Sequence, residues 1–335
     1  MKGQRKQFSA GKRLRFRFET LALRIVAWLV PKFPRRLVHG VGRALGWLTY
    51  YVAPGLRDIS RQNLDVAFGD TKTATEKRGI ARQSLQNVGA TMLSLFWTPR
   101  LTKTGYDKLV DVDPDMVRRV RELHARGKGL ICVTAHFGDW ELLGLSVGYY
   151  AIPMTVVQEI MRNEAIEAIF ARLRGVSGNR LVPNRFAATT LLKTLKRGGG
   201  IALLIDQNAT SKRGGVWLDF FGLPAYSSGA AGALAVHTGA PIIAGFSYPG
   251  PEGRMRIIWG PEMTIERTDS EEADMRTLNQ KCLRYCEDVI RAHPEHWLWS
   301  YKRWKFRPTE DWGKYPRYSR YWPAAVKDAE QRRSN

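Results

Sequence analysis

The chain has 335 residues, 44% of them hydrophobic, and a formal net charge of +22 at pH 7. That length and apolar content suffice for a sizeable core, in one large α/β domain with an appendage or in two modest domains, and the charge favours anionic partners: an acidic carrier protein, an anionic lipid surface or a nucleic acid. Cys132, Cys282 and Cys286 form no C-x-x-C pair and have no His at ligand spacing, so a reduced environment without structural zinc is expected.

Residues 1–17 carry seven cations, Lys2, Arg5, Lys6, Lys12, Arg13, Arg15 and Arg17, and no acid. The apolar segment Leu21–Val30 is interrupted by Arg24 and ended by Pro31. It is shorter than the roughly 20 residues a spanning helix needs. A second apolar segment, Leu37–Ala53, contains His39, Arg43 and the potential breakers Gly40, Gly42 and Gly46. Residues 1–55 therefore read as a basic arm followed by membrane-associating helices, an interfacial hairpin with Trp28, Trp47, Tyr50 and Tyr51 near the headgroups. The competing reading is an amphipathic pair packed on the core. No small-residue cleavage site marks a signal peptide.

Helical periodicity runs from Ile59 to Phe96, most regularly over Glu76–Ser94, and again over Asp113–Arg126 with Pro114 in the first turn. Leu130–Val133 is a short β-branched run that predicts a buried strand, and Trp140–Leu145 opens a helix. Strands at 154–157, 180–182 and 201–205 then alternate with helices at 164–174 and 187–196, the latter stopped by Gly198-Gly199-Gly200. This rhythm predicts an α/β fold with a largely parallel central sheet and helices on both faces. GGVWLDFFG reads as a loop and edge strand, followed by a helix at 230–237, strands at 241–247 and 255–259, and a long helix at 271–292.

The residues with chemistry gather where strands end. His136 lies at the join between the strand 130–133 and the helix that follows, with Gly138, Asp139 and Glu141 behind it, and open α/β sheets bind ligands just beyond the carboxyl ends of strands. On a continuous helix His136 and Glu141 would point about 140° apart, so they meet only if the chain bends at Phe137-Gly138. A His with a carboxylate on one ring nitrogen is a general base for a hydroxyl. Glu141 is the preferred partner and Asp139 the helix cap; backbone amides around Gly138 are candidate oxyanion donors. A hydrogen-bonded structural His is the bland alternative. Asp206, in Ile205-Asp206-Gln207-Asn208, also falls at the end of a strand, facing the same cleft or merely forming a turn. Arg172, Arg174 and Arg180 are candidate anion binders or solvated helix charges. His293 and His296 flank Pro294 without regular ligand spacing, so no metal is expected there.

HFGDWE fits the H-x4-D/E motif of glycerolipid-type acyltransferases, and from about Arg61 to Pro308 the chain resembles the bacterial lipid A biosynthesis acyltransferases and the related phosphatidylinositol mannoside acyltransferases. The resemblance is carried by RQNLDVAF (61–68), TAHFGDWE (134–141), FARLRG (170–175), LLIDQN (203–208), GGVWLDFFGLPA (214–225), AVHTGAPII (235–243) and HPEHWLWSYKRWKFRP (293–308), in that order. It implies a glycerolipid-acyltransferase-like domain over 56–310; the residues beyond it, 311–335, are polar and read as a loose tail. It also implies transfer of a fatty acyl group from acyl carrier protein or acyl-CoA to a glycolipid hydroxyl, at the cytoplasmic face of the inner membrane, without metal or organic cofactor. By the same resemblance His136 and Glu141 are catalytic, with Arg172 and Asp206 in support. Gln158-Glu159 and Asn163-Glu164 replace the Arg-Pro and Asn-Pro common in such proteins, and Asn208 replaces a second acid, which touches acceptor and chain preference. Two rival classes are a hydrolase using the same base with water, and a nucleic-acid binder built on the Trp-, Lys- and Arg-rich run 297–307.

Overall fold

Four helices come first: α1 (Ala10–Leu29), α2 (Arg35–Val52), α3 (Pro54–Phe68) and α4 (Ala74–Leu95). The computed structural model describes residues 9–322 apart from 151, 160, 185–186, 210–213 and 251–252, so Lys2, Arg5, Lys6 and the last part of the tail lie outside the described residues. Helix α4 starts at a capping box, in which the Thr73 hydroxyl accepts from the Glu76 amide and the Glu76 carboxylate accepts from the Thr73 amide. Helix α2 lies on it backbone to backbone. A Cβ on Gly46 would come 2.1 Å from the Leu85 carbonyl oxygen, and one on Gly89 would come 2.3 Å from that of Gly42. The glycines expected to break the segment 37–53 are thus the contact that seats one continuous helix. The outer faces stay apolar: Leu14, Phe18, Leu21, Ile25 and Trp28 on α1, and Leu37, Val41, Leu45, Leu48 and Val52 on α2, are exposed. Among the described residues no helix is long and apolar enough to cross a membrane.

The α/β part follows as α5 (Lys103–Asp107), β1 (Val110–Val112), α6 (Pro114–Ala125), β2 (Leu130–Thr134), α7 (Trp140–Tyr150), β3 (Met154–Gln158), α8 (Glu164–Arg174), β4 (Arg180–Pro183), α9 (Ala187–Lys196) and β5 (Gly200–Leu204). It continues with β6 (Gly215–Phe220), β7 (Leu223–Ser228), α10 (Ala230–Thr238), β8 (Ile242–Pro249), β9 (Met255–Glu262) and α11 (Glu271–Ala292). Among the described residues seven strands form one sheet in the order β1-β9-β8-β2-β5-β3-β4. Every neighbouring pair is parallel except β8 with β9. Alternation along β2 builds a core on each face: Ile131, Val133 and Ala135 join Leu191, Ala235 and Leu283, while Leu130 and Cys132 join Leu123, Leu142 and Leu145.

The second half differs from expectation in three places. GVWLDF adds no edge to the main sheet; β6 and β7 form their own antiparallel hairpin. Its two-residue turn, Phe221-Gly222, has φ of +56° and +72°, as a twisted two-residue turn requires. Phe221 tolerates that conformation because its amide donates to the buried Glu287 carboxylate and its ring packs on Trp299. The aromatic run is core, not a surface for nucleic acid or lipid: Trp297, Trp299, Arg303 and Trp304 are fully buried. Residues 311–322 are not loose, since β11 (Arg320–Tyr321) pairs with β10 (Phe306–Arg307) and the Tyr315 hydroxyl donates to the Pro224 carbonyl.

Candidate active site

Thr134 of β2 is the register partner of Leu204 of β5, so two residues further on His136 and Asp206 leave adjacent parallel strands side by side. His136 Nδ1 lies 2.9 Å from Asp206 Oδ1, and the His136 amide donates to Oδ2 at 2.9 Å. The Trp297 indole donates to Oδ2 at 2.8 Å. Asp206 is 2% exposed. Burial works against its charge, but the imidazole, the His136 amide and the Trp297 indole outweigh that cost and hold the carboxyl below the usual carboxylate range. An ionised acceptor at Nδ1 selects the tautomer with the proton on Nδ1, which leaves Nε2 as the acceptor nitrogen, the one able to take a proton.

The expected pairing of His136 with Glu141 is not what forms. The register of the sheet satisfies Nδ1 from β5, while the first turn of α7 carries Glu141 toward α8. There Arg174 grips it with Nε 2.9 Å from Oε2 and Nη2 2.6 Å from Oε1. Burial alone would weaken the charge of Arg174, but Glu141 more than compensates and its guanidinium is held above its ordinary value. Arg172 is exposed on the outer side of α8, so Arg174 is the arginine of Arg172-Leu173-Arg174 that lines the cavity beside His136.

Asp139 caps α7, its Oδ1 accepting from the Leu142 amide at 2.9 Å. Burial is the main reason its carboxyl is pushed up to about 6. Gly138 has φ +57°, and a Cβ there would stand 1.6 Å from the Ser247 carbonyl oxygen. Only glycine allows the chain to pass β8 this closely. The amides nearest the base are engaged inside the fold: that of Phe137 on the Ala135 carbonyl and that of Gly138 on the His296 carbonyl. With the His136 amide on Asp206, all three amides of residues 136–138 are engaged within the fold.

His136, Trp140, Glu141, Arg174 and Gln207 sit on a cavity of about 1630 Å³. This exceeds the roughly 300–1,000 Å³ common for small-molecule sites. Apolar side chains line it on both faces of the sheet, with Cys132, Leu143, Val147 and Met154 on one and Leu191, Leu203, Leu218 and Leu234 on the other. Two participants had no expected role. Trp297 carried no signal, being one aromatic in a run of many. Gln207 Nε2 lies 3.3 Å from His136 Nε2, and its adjacency to Asp206 was the available clue. His293 stacks on Tyr248 and His296 Nδ1 is hydrogen-bonded by Asn87. Among the described residues no group of three or more His, Cys, Asp or Glu is placed to hold a metal ion.

A largely parallel α/β sheet thus sets a His–carboxylate pair on a large, mostly apolar cavity. The family profile described as bacterial lipid A biosynthesis acyltransferase matches residues 5–306, and the chain belongs to that family. It is an acyltransferase. The lipid A biosynthesis lauroyltransferase of Escherichia coli (strain K12) is 24% identical over 294 residues, covering 84% of this chain and 90% of the relative. The lipid A biosynthesis palmitoleoyltransferase of the same strain is 22% identical, again over 84% and 90%. A phosphatidylinositol mannoside acyltransferase of Mycobacterium tuberculosis (strain CDC 1551 / Oshkosh) is 24% identical over 76% of this chain and 79% of its own length.

Proposed function

We propose that this acyltransferase moves a fatty acyl chain from an acyl thioester to a hydroxyl of a glycolipid such as a lipid A precursor, working on an anionic membrane surface, the cytoplasmic face of the bacterial inner membrane. The observation that carries the reading is the His136–Asp206 dyad set on a cavity lined by apolar side chains. His136 Nε2 takes the hydroxyl proton as the oxygen attacks the thioester carbonyl carbon, and the carbonyl electron pair moves onto its oxygen. The carbonyl then re-forms, the carbon–sulfur bond breaks and the departing thiolate takes the proton from the imidazolium. Asp206 holds the tautomer and stabilises the imidazolium; general-base catalysis of this kind contributes about 10²–10⁴-fold. The apolar lobes suit acyl chains, and the step uses no metal or organic cofactor.

In this reading Glu141 and Arg174 fix α7 against α8 at the site, Gly138 and Asp139 shape the turn that aims His136, and exposed Arg172 offers a cation to an anionic headgroup. The apolar stripes of α1 and α2 meet the bilayer, with Arg13, Arg15, Arg17, Arg24, Lys32 and Arg36 exposed beside them. The net charge of +22 favours acidic acyl carrier protein over coenzyme A as the donor's handle. The test is detergent-solubilised protein with each thioester donor and a glycolipid acceptor. Acylated lipid is expected, and His136→Ala should lower its formation by several orders of magnitude, the about 10²–10⁴-fold of the base plus lost alignment of the hydroxyl. Free fatty acid as the sole product would make the enzyme a thioester hydrolase, and full turnover in His136→Ala would remove the dyad from the reaction.

A further inference from the structure

Attack on a thioester builds negative charge on the carbonyl oxygen, and a donor must meet it within hydrogen-bond distance. The three backbone amides closest in sequence to the base, those of His136, Phe137 and Gly138, are all held within the fold. Gln207 stands where a donor is needed. It follows Asp206 directly in the loop after β5, and the two neighbours reach opposite nitrogens of one imidazole: Asp206 Oδ1 at 2.9 Å from Nδ1, Gln207 Nε2 at 3.3 Å from Nε2. Gln207 is half-buried and lines the cavity.

With Asp206 fixing the proton on Nδ1, Nε2 is an acceptor, so the carboxamide N–H of Gln207 donates to the base at rest. A substrate hydroxyl must take that same position on Nε2 to be deprotonated. We infer that Gln207 is a further catalytic residue: displaced from Nε2 by the incoming hydroxyl, its carboxamide N–H turns onto the thioester carbonyl oxygen and stabilises the developing oxyanion. The exchange conserves hydrogen bonds, since the donor released by the base is taken up by the charge the base helps to create. A side-chain amide in this role typically contributes about 10²–10³-fold to kcat. The inference rests on the acyl-transfer reading and adds a side-chain oxyanion donor to it.

The test measures transfer from an acyl thioester and from the matching acyl dithioester, whose thiocarbonyl sulfur is a poor hydrogen-bond acceptor, with wild type, Gln207→Ala, Gln207→Glu and His136→Ala. Gln207→Ala should lower kcat for the thioester about 10²-fold or more, with KM nearly unchanged. Its loss with the dithioester should be at least ten times smaller. Gln207→Glu, nearly isosteric, keeps the fold and should fall at least as far, because a carboxylate repels the oxyanion. An unchanged or raised kcat in Gln207→Ala would show that Gln207 only caps the resting base, and equal losses with both donors would show a structural role; either result overturns the inference. If wild type transfers no acyl group, or His136→Ala transfers normally, it is the underlying reading that fails, whatever Gln207 does.

Discussion

At the scale of single residues, the site turns on which acid serves which base. Of the two acids, Asp206 is the one bonded to the imidazole, and Glu141 is committed to Arg174. Asp206→Asn should keep the fold but place the wrong tautomer in the site, lowering kcat by about 10⁴-fold, the loss known when the acid of a catalytic triad is amidated. Glu141→Gln should show first in thermal unfolding, because it leaves the largely buried Arg174 without its counter-ion. An inactive but fully stable Glu141→Gln beside an active Asp206→Asn would reverse these roles. Asp139 gives a separate pH signature. Its carboxyl is pushed up to about 6 by burial, from an ordinary value near 4, so ionising it in the folded protein costs stability that begins to be lost as pH rises past the unfolded value and is fully lost above about 6. Asp139→Asn, which keeps a capping oxygen, should match wild type in stability near pH 4 and exceed it at pH 8 by up to about 3 kcal/mol, read from melting curves at the two pH values. Equal melting curves at both pH values would show that the carboxylate is solvated in the folded state.

At the scale of elements, the strands and helices of the α/β part were legible in the sequence because their periods and boundaries are local: the helix at 271–292 and the strand from Leu130 are set by nearby residues. Pairing was not legible. Nothing local in TAHFGDWE states that β5 will lie next to β2 in the register that brings Asp206 to His136, whereas Glu141 is only five residues away and invites the nearer pairing. The buried run 297–304 was equally closed to sequence, since alternating aromatic and basic residues fit a core, a lipid face or a nucleic-acid groove until Arg303 is seen to donate to Ser227 and the Tyr226 carbonyl beneath β7. The glycines of α2 misled for the same reason, because close backbone approach is a property of two helices. That contact makes its own prediction. Gly46→Leu needs space already held by the Leu85 carbonyl, so it should push α2 off α4, lower the melting temperature and expose α2 to limited proteolysis; a melting temperature within error of wild type would show that the helices separate without cost.

At the scale of the whole molecule, apolar exposure and charge are distributed unequally. Among the described residues the exposed large apolar side chains lie between Leu14 and Leu56, except Trp312 and Tyr321. Replacing Phe18, Leu21, Ile25 and Trp28 by serine should leave the α/β fold intact and abolish flotation with liposomes. Wild-type binding should strengthen with anionic lipid by about 1 kcal/mol for each basic residue near the surface. Flotation that ignores both the substitutions and the lipid charge would mean that α1 faces protein.

The net charge of +22 acts over a longer range than any of these contacts, and it separates the two possible donors. A strongly acidic carrier protein is steered by the whole field, whereas coenzyme A is a small anion that a few cations hold locally. Carrier-linked donor should therefore give the higher kcat/KM at low salt. Its advantage should shrink as added salt takes the Debye length below about 10 Å, while the coenzyme A reaction changes little. Arg172 and Arg180 are exposed and adjoin in sequence Arg174 and Leu181, which line the cavity, so Arg172→Gln with Arg180→Gln should slow the carrier-linked reaction more than the coenzyme A reaction. Arg174 is unsuited to that role because Glu141 holds it, and Arg185 lies outside the described residues. Stopped-flow association rates against ionic strength read the steering directly, since kon rather than koff carries the long-range term. Equal kcat/KM for both donors at every salt concentration would assign the positive charge to the lipid surface alone.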